Sequence, residues 1–224
     1  DWARPLRNYV TNKKIEKDLA FHIHKFFLKK IPKIICTNDP IMELLVKFYG
    51  LSDKQLFRAP ETIQLNKFKM YPRKTSSKPN VLFIGGDFIR KGGDILIKNL
   101  DKFINNCNLT VVTKDKRAKV NNVNYFDSKL SDDQILDLYR THDIFVLPSC
   151  FESFGLVLAE AAAAGLVVIT TKFALGSKDI VTNNKTGFIT DTQEGCIDEL
   201  TKLIKDPKKI DNFKIAAYNK MESE

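Results

Sequence analysis

The chain has 224 residues, of which 43% are hydrophobic and 28% are charged. This composition is ordinary for a globular protein with one large domain, or one domain and part of another. No apolar run reaches the roughly 18 residues of a transmembrane helix, so the sequence does not predict a membrane-spanning protein. Four widely spaced cysteines match no zinc-binding pattern and indicate reduced thiols, as in cytoplasmic proteins.

The net charge of +9 is concentrated in the first third of the chain. Residues 1–80 carry +10, whereas residues 81–224 carry −1. Such an asymmetry is found in proteins that meet nucleic acid or an anionic membrane. It also arises from a solvated, lysine-rich face. We favour that second interpretation, because no nucleic-acid-binding motif accompanies the charge.

The first 80 residues predict two helices, two short strands and a linker. Apolar residues recur at helical spacing before Pro32; they are Ile15, Leu19, Ile23, Phe26 and Phe27. A short buried strand over 33–37 and a second helix over 39–50 follow, the helix starting at an Asp-Pro pair and ending at a glycine. Residues 56–58 predict another strand. The polar residues 71–80 contain two prolines, which is typical of a linker.

After the linker, apolar strands alternate with helices. The predicted strands cover 81–84, 109–113, 144–147 and 166–170. The predicted helices start at Asp94, at Ser131 and near Leu156; Ser131 and Gln134 form a capping box. This alternation predicts an α/β fold, a parallel sheet covered by helices on both faces. Ligands of such sheets bind outside the carboxyl ends of the strands, so the loops after Ile84, Thr113 and Leu147 are the predicted binding loops.

The loop after Leu147 leads into a helix that begins near Gly155. A helix N-terminus offers unpaired N–H groups to a phosphate, and a glycine lets a ligand approach the backbone. Glu152 precedes this helix. Glu160, about one turn inside it, is the only charged residue between Phe154 and Thr171. Its carboxylate could accept hydrogen bonds from a ribose diol, or it could be an acid that favours the helix dipole or faces solvent. The spacing alone leaves these alternatives open.

The loop after Ile84 couples glycines to two adjacent cations, Arg90 and Lys91. Fixed cations lower the barrier to departure of a diphosphate, because they stabilise the charge that develops on it. The alternative is a charged turn that is capped by Asp94. No GxGxxG spacing occurs in this loop.

The stretch from Asp143 to Thr170, with Glu-Ser-Phe-Gly-Leu-Val-Leu-Ala-Glu at its centre, resembles the Glu-x7-Glu motif of retaining GT-B glycosyltransferases of family 4, the group 1 transferases. The loop Gly-Gly-Asp-Phe-Ile-Arg-Lys-Gly-Gly-Asp resembles their diphosphate-binding loop. The resemblance implies catalytic roles for Glu152, which would face the sugar, and Lys91, which would contact the diphosphate. Glu160 would hold the ribose. The implied donor site consists of Gly86, Arg90, Lys91, Glu152, Ser153, Phe154, Gly155, Leu156, Val157 and Glu160.

Two departures from the family pattern affect this expectation. Many members place an arginine where this chain has Gly86, so Arg90 either substitutes for that arginine or faces solvent. The family also has a glycine where this chain has Asp127 in the base pocket. The pocket that the resemblance implies is formed by Thr113, Asp127, Ser128 and Leu130, and it does not distinguish UDP from GDP.

The resemblance implies that residues 81–224 are the donor-binding, C-terminal half of a GT-B fold. Residues 1–70 would be a remnant of the Rossmann-like, acceptor-side N-terminal domain, and residues 71–80 the linker. The chain lacks an initiator Met, and we expect a truncated enzyme that ends before the family's long C-terminal helix.

The implied function is retaining hexosyl transfer without a metal or cofactor, from a UDP- or GDP-sugar to an unknown sugar or lipid-linked acceptor. We expect a cytoplasmic location, with which peripheral contact at the anionic inner membrane face is compatible. The alternatives are a nucleotide-sugar-binding module that is inactive alone, and a basic protein that binds nucleic acid or a membrane surface.

Overall fold

The computed structural model describes residues 19–68, 73–127 and 129–223, which form two parallel sheets of unequal size. We call residues 19–58 the first lobe. Its elements are helix α1 (Leu19–Leu28), strand β1 (Ile34–Cys36), helix α2 (Asp39–Leu44) with a π-helical continuation (Leu45–Tyr49), and strand β2 (Leu56–Arg58). The two strands pair in parallel. A short helix α3 (Leu65–Phe68) follows the lobe.

Residues 80–223, which we call the sheet domain, contain the remaining elements. The strands are β3 (Asn80–Ile84), β4 (Asn108–Val112), β5 (Val123–Phe126), β6 (Ile144–Leu147), β7 (Val167–Thr171) and β8 (Gly187–Thr190). The helices are α4 (Gly93–Lys98), α5 (Asp132–Thr141), α6 (Leu156–Ala163), α7 (Ser177–Ile180), α8 (Gln193–Leu203) and α9 (Pro207–Ser223). All six strands are parallel, in the order β5-β4-β3-β6-β7-β8.

The central strands form because their residues are apolar without interruption. All four residues of β6 are completely buried, as are Val81, Leu82 and Phe83 in β3. Strands that are covered on both faces read as continuous apolar runs rather than alternating ones, and each buried side chain of this size stabilises the fold by roughly 1.5–3 kcal/mol. The predicted α/β fold with a parallel sheet flanked by helices is therefore confirmed.

Some predicted elements differ from the observed ones. The strand expected to be buried over 33–37 is buried only at Cys36, and Ile35 is 74% exposed. The helix expected from Asp94 ends at Lys98, because the Asn99 amide donates to the Ile95 carbonyl and closes the last turn. Two 3-10 turns, Leu100–Lys102 and Ile104–Asn106, carry the chain on to β4.

Helix α9 has no counterpart among the predicted elements. It packs against α6, and it ties the chain to the amino edge of the sheet through Lys214. The Lys214 Nζ donates to Asp143 Oδ1 at 2.9 Å. The Asp143 carboxylate also accepts bonds from Arg73, Thr75 and the Asn80 N–H. Of the helices in the described ranges, none combines the length and apolar character needed to cross a bilayer.

Candidate functional site

The loops after β3 and β6 meet at the point where the strand order reverses. The chain leaves β3 toward β4 on one side and leaves β6 toward β7 on the other, and ligands of such sheets bind at this point of the carboxyl edge. Gly92, in the first loop, has a φ of +77°, and a Cβ there would lie 2.0 Å from the Pro148 carbonyl oxygen. The Cys150 N–H donates to the Arg90 carbonyl at 2.8 Å. The two loops are therefore docked on each other.

A carboxylate and two cations converge where these loops dock. Arg90 Nη1 lies 2.7 Å and Lys91 Nζ 3.4 Å from Glu152 Oε1. The Ser149 hydroxyl donates to the same oxygen at 3.3 Å. The side chains of Arg90, Lys91 and Glu152 are 23%, 15% and 11% exposed. The three charges are thus partly withdrawn from water. In such a site their interaction is stronger than on an open surface.

Arg90 lies against Glu152 rather than in solvent. Its Nε also donates to Asp87 Oδ2 at 3.0 Å. Burial lowers the pKa of Arg90, but the negative charges of Glu152 and Asp87 and their hydrogen bonds outweigh it, and the pKa is raised overall. The guanidinium therefore stays charged and holds the Glu152 carboxylate in place. Gly86, by contrast, is exposed and faces open space, where an added Cβ would contact only Lys114 Cε at 3.9 Å.

Helix α6 presents its N-terminus beside the charged cluster. Gly155 is the N-cap residue, with a φ of +95°, a left-handed conformation that glycine adopts without strain. Phe154 before it is buried, and Ser153 is half-buried. Leu156 is 42% exposed and Val157 half-buried in the first turn. The first-turn N–H groups of a helix lack intrahelical partners, so they are available to an anion.

Glu160 is half-buried and faces a cavity. The Tyr139 hydroxyl, which belongs to a side chain only 1% exposed, donates to Glu160 Oε2 at 2.9 Å. Burial, and then the Glu160 charge, raise the pKa of Tyr139 well above its ordinary value, so the phenol remains a donor. Among the residues that the structure describes, nothing hydrogen-bonds to Glu160 Oε1. One oxygen of the carboxylate is thus oriented by Tyr139, and the other has no hydrogen-bond partner among the described residues.

The cavity beside Glu160 has a volume of about 360 Å³. One wall comes from the chain after the first lobe and the other from α5 and α6. Its lining residues include Ile63, Lys67, Asp132, Ile135 and Leu156. Lys67 Nζ and Asp132 Oδ2 form an ion pair of 2.6 Å across the two walls. The sequence does not predict the wall from residues 62–68, because nothing in those residues indicates a contact with a helix some 90 residues further on.

The residues expected in the base pocket differ in how far they are exposed. Thr113 is fully buried; its N–H donates to the Phe126 carbonyl and its Oγ1 accepts from the Asp115 N–H. Its side chain is therefore engaged within its own turn. Asp127 is exposed and Leu130 is half-buried. Ser128 lies outside the described residues.

A Rossmann-type strand order, a helix N-terminus and paired cations at the switch point are features of nucleotide- and phosphate-binding α/β domains. Comparison with known proteins makes this assignment more specific. Residues 67–220, well over half of the chain, match the family described as glycosyl transferases group 1. The chain belongs to this family.

Curated relatives match the chain over most of its length. It is 26% identical over 196 residues to the phosphatidylinositol N-acetylglucosaminyltransferase gpi3 subunit of Schizosaccharomyces pombe, a match that covers 81% of this chain and 43% of the relative. It is 25% identical over 186 residues to the D-inositol 3-phosphate glycosyltransferase of Xylanimonas cellulosilytica, with 70% and 44% covered. The chain thus spans less than half the length of these relatives.

Solved structures share the fold. WaaG, a glycosyltransferase involved in lipopolysaccharide biosynthesis, superimposes with a TM-score of 0.79 at 19% identity, covering 98% of this chain and 68% of that one. Anabaena HepE in complex with UDP and glucose gives a TM-score of 0.76 at 17% identity, covering 100% and 65%. The fold is accordingly that of the GT-B glycosyltransferases.

Proposed function

We propose that this chain carries the donor site of a retaining family 4 hexosyltransferase, which moves a sugar from a nucleotide diphosphate to an acceptor without a metal ion or other cofactor. The observation that carries the proposal is the convergence of Arg90, Lys91 and Glu152 beside the N-terminus of α6. The names of the relatives support a glycosyl transfer, and the solved HepE complex with UDP and glucose supports a nucleotide-sugar donor. The retaining outcome rests on the sequence resemblance.

In this proposal the diphosphate lies between Lys91 and the first turn of α6. When the bond from the anomeric carbon to the diphosphate oxygen breaks, its electron pair stays on the diphosphate. The acceptor hydroxyl oxygen bonds to the anomeric carbon, and its proton passes to the departing diphosphate. Lys91 and the unpaired N–H groups of Leu156 and Val157 stabilise the charge that develops there. Gly86 and Gly155 leave room for the phosphates to approach the backbone.

Glu152 orients the sugar in this mechanism. Its Oε1 is held by Arg90, Lys91 and Ser149, so the carboxylate has one direction in which it can accept bonds from sugar hydroxyls. Ser153 and Phe154 continue the backbone along the sugar toward the diphosphate. A fixed acceptor of this kind contributes by positioning the reacting carbon. We do not assign Glu152 as a nucleophile.

The ribose is proposed to bind Glu160 through the oxygen that Tyr139 leaves open. The base then lies toward Asp127, Ser128 and Leu130, with Thr113 behind it as part of the supporting turn. UDP and GDP both remain candidates, because a base that is bound through backbone groups leaves little sign of its identity in the side chains of the pocket.

The acceptor side of the proposed enzyme would lie before the donor domain. We propose that residues 1–70 belong to an acceptor-side domain, that residues 71–80 are the linker and that residues 81–224 are the donor domain. The acceptor would be a sugar or a lipid-linked molecule in the cytoplasm, and the basic first third is compatible with contact at the anionic inner face of a membrane.

A second candidate is a binding module that holds the nucleotide sugar but does not transfer it alone. The chain spans less than half of the length of these curated relatives. Release of free sugar from UDP-glucose or GDP-mannose by the isolated chain would exclude this candidate. Binding without any turnover would support it.

Calorimetric titration with UDP, GDP and ADP tests the donor site. We expect one of the nucleotides to bind, and Glu160→Ala to weaken that binding by about 1.5–3 kcal/mol, as for loss of a hydrogen bond to a charged group. Glu194→Ala is the matched control, because Glu194 is an exposed acid in the first turn of α8. Failure of all three nucleotides to bind would refute the donor site. Equal effects of the two variants would refute only the ribose role.

A further inference from the structure

Glu152 stands between two residues that are anchored in the first lobe. Phe151, the residue before it, is 6% exposed and belongs to the first lobe's own core rather than to the core of the sheet domain. That core consists of Phe21, Cys36, Ile41, Leu45, Tyr49, Leu51, Leu56 and Phe151. A side chain from the sheet domain thus completes the apolar cluster of the other sheet.

Ser153, the residue after Glu152, is held by Asn38. The Asn38 Nδ2 donates to the Ser153 carbonyl at 2.7 Å, across 115 positions of the sequence. The Asn38 Oδ1 accepts from the Ile41 N–H at 3.0 Å and so caps α2. Asn38 is fully buried. Both ends of the amide are therefore used, one to fix the helix of the first lobe and one to fix the acidic loop.

The backbone of Glu152 itself is fixed from the opposite side. Its N–H donates to the Phe173 carbonyl and its carbonyl accepts from the Leu175 N–H, both at 3.0 Å. Together with the anchors of its neighbours in the first lobe, these bonds hold the loop from both lobes. The carboxylate position then depends on the first lobe as much as on the sheet domain.

We propose that Asn38 is a positioning residue, through which the first lobe sets the place of the Glu152 carboxylate against the donor sugar. This inference rests on the proposed function. Loss of the Nδ2 donor leaves the Ser153 carbonyl without its partner, a cost that the loop relieves by moving. The ribose contact persists, because Glu160 and its partner Tyr139 both belong to the sheet domain, and the diphosphate keeps Lys91 and the first turn of α6, which begins after this loop. Loss of this donor should therefore weaken contacts to the donor sugar but not contacts to the nucleotide.

Asn38→Asp and Asn38→Ser test this separation. Both keep an oxygen that can cap α2, and both remove the N–H donor to Ser153. Thr192→Ala, which removes the N-cap of α8, is the control for a loss of helix capping away from the loop. The probes are UDP with UDP-glucose and GDP with GDP-mannose, each titrated into the intact chain and assayed for sugar release. Thermal unfolding identifies any variant that fails to fold.

For the Asn38 variants, we expect affinity for the free nucleotide diphosphate within about twofold of wild type. Affinity for, or turnover of, the matching nucleotide sugar should fall at least tenfold, whereas Thr192→Ala leaves both unchanged. Hydrogen exchange should accelerate in residues 151–155 and not in α8. Phe151→Leu, which loosens the other anchor, should give the same pattern.

The possible failures are distinguishable. If neither nucleotide binds the wild-type chain, the donor site is absent and the inference falls with it. If a nucleotide binds but the Asn38 variants treat nucleotide and nucleotide sugar alike, the proposed function stands and the positioning role is overturned. Unchanged exchange in residues 151–155 would overturn it independently of any activity measurement.

Discussion

Each edge of the large sheet holds a carboxylate that pairs with an arginine and a lysine. At the amino edge, the side chain of Asp143 is fully buried and that of Lys214 is 2% exposed. At the carboxyl edge, Glu152 is 11% exposed, Lys91 15% and Arg90 23%. The chemical groups are the same, but one carboxylate is sealed and the other remains partly exposed.

The difference lies in what surrounds each carboxylate. Asp143 accepts bonds from Arg73, Thr75, the Asn80 N–H and Lys214, so little of its capacity remains for a ligand. Glu152 directs one oxygen to its cations, and glycine-containing loops surround it. Removing one partner of a buried pair leaves the other charge uncompensated, whereas a partly exposed pair can exchange partners with a substrate. The comparison predicts that stability depends on the amino edge and activity on the carboxyl edge.

The largest expected effect is on stability, at the amino edge. Asp143→Asn leaves the Lys214 ammonium buried without a counter-charge, and we expect the free energy of unfolding to fall by about 3–5 kcal/mol. The measurement is urea denaturation at neutral pH. Asp137→Asn is the control, because Asp137 pairs with Arg140 at 2.9 Å on the surface and should contribute less than about 1 kcal/mol. Similar losses in both variants would contradict the assignment of Asp143 as a structural residue.

The next effect is on activity, at the carboxyl edge. Lys91→Met should lower kcat for sugar release or transfer by about 10²–10³-fold, as for loss of one group that stabilises transition-state charge. The unfolding free energy should change little by comparison with Asp143→Asn. Lys98→Met, at an exposed position in α4, should leave kcat unchanged. A Lys91 variant with unaltered kcat would show that the diphosphate lies elsewhere.

A smaller effect is expected from the residue that orients Glu160. Tyr139→Phe removes one hydrogen bond to the carboxylate, so nucleotide binding should weaken by about 0.5–1.5 kcal/mol. Titration calorimetry with the nucleotide that binds wild type measures this. Tyr125→Phe, at a half-buried position in β5, is the control for loss of a phenol hydroxyl. Equal affinities of wild type and Tyr139→Phe would mean that Glu160 needs no orientation.

The smallest effect concerns pH and His142, next to the sealed carboxylate. Burial lowers the pKa of His142 below its ordinary value of 6.5, so the folded state binds fewer protons than the unfolded state just below that pH. Stability is therefore present above about pH 6.5 and is lost as the pH falls through it. Urea denaturation at pH 7.5, 6.5 and 5.5 should show a decline in wild type that is shallower in His142→Gln. Parallel declines would contradict the assignment.

Local patterns sufficed for much of the fold and part of the site. The apolar run of β6, the capping box at Ser131 and the stop at Gly50 are set by neighbouring residues, and the structure has each of them. The pairing of Arg90 with Glu152 needed the strand order, which brings together loops 60 residues apart. Tyr139 carries no local sign that its hydroxyl would meet Glu160.

The unpredicted contacts share a physical cause. Asn38 reads locally as a helix cap, which it is, and only the tertiary structure adds its second bond to Ser153. Likewise Ile35 follows the strand pattern but remains exposed, because apolar character alone does not say whether a face is covered. Local propensity fixes an element, whereas burial and partners depend on what the rest of the chain places beside it.

The Phe151 side chain also has a consequence for folding of the chain during its synthesis. The first lobe emerges from the ribosome first, yet its apolar cluster is incomplete until Phe151 follows. At about 5–20 residues per second, the roughly 95 residues after β2 take on the order of 5–20 s to be made. During that interval the nascent lobe exposes an unfinished core, so a chaperone that binds apolar segments has a defined window in which to act.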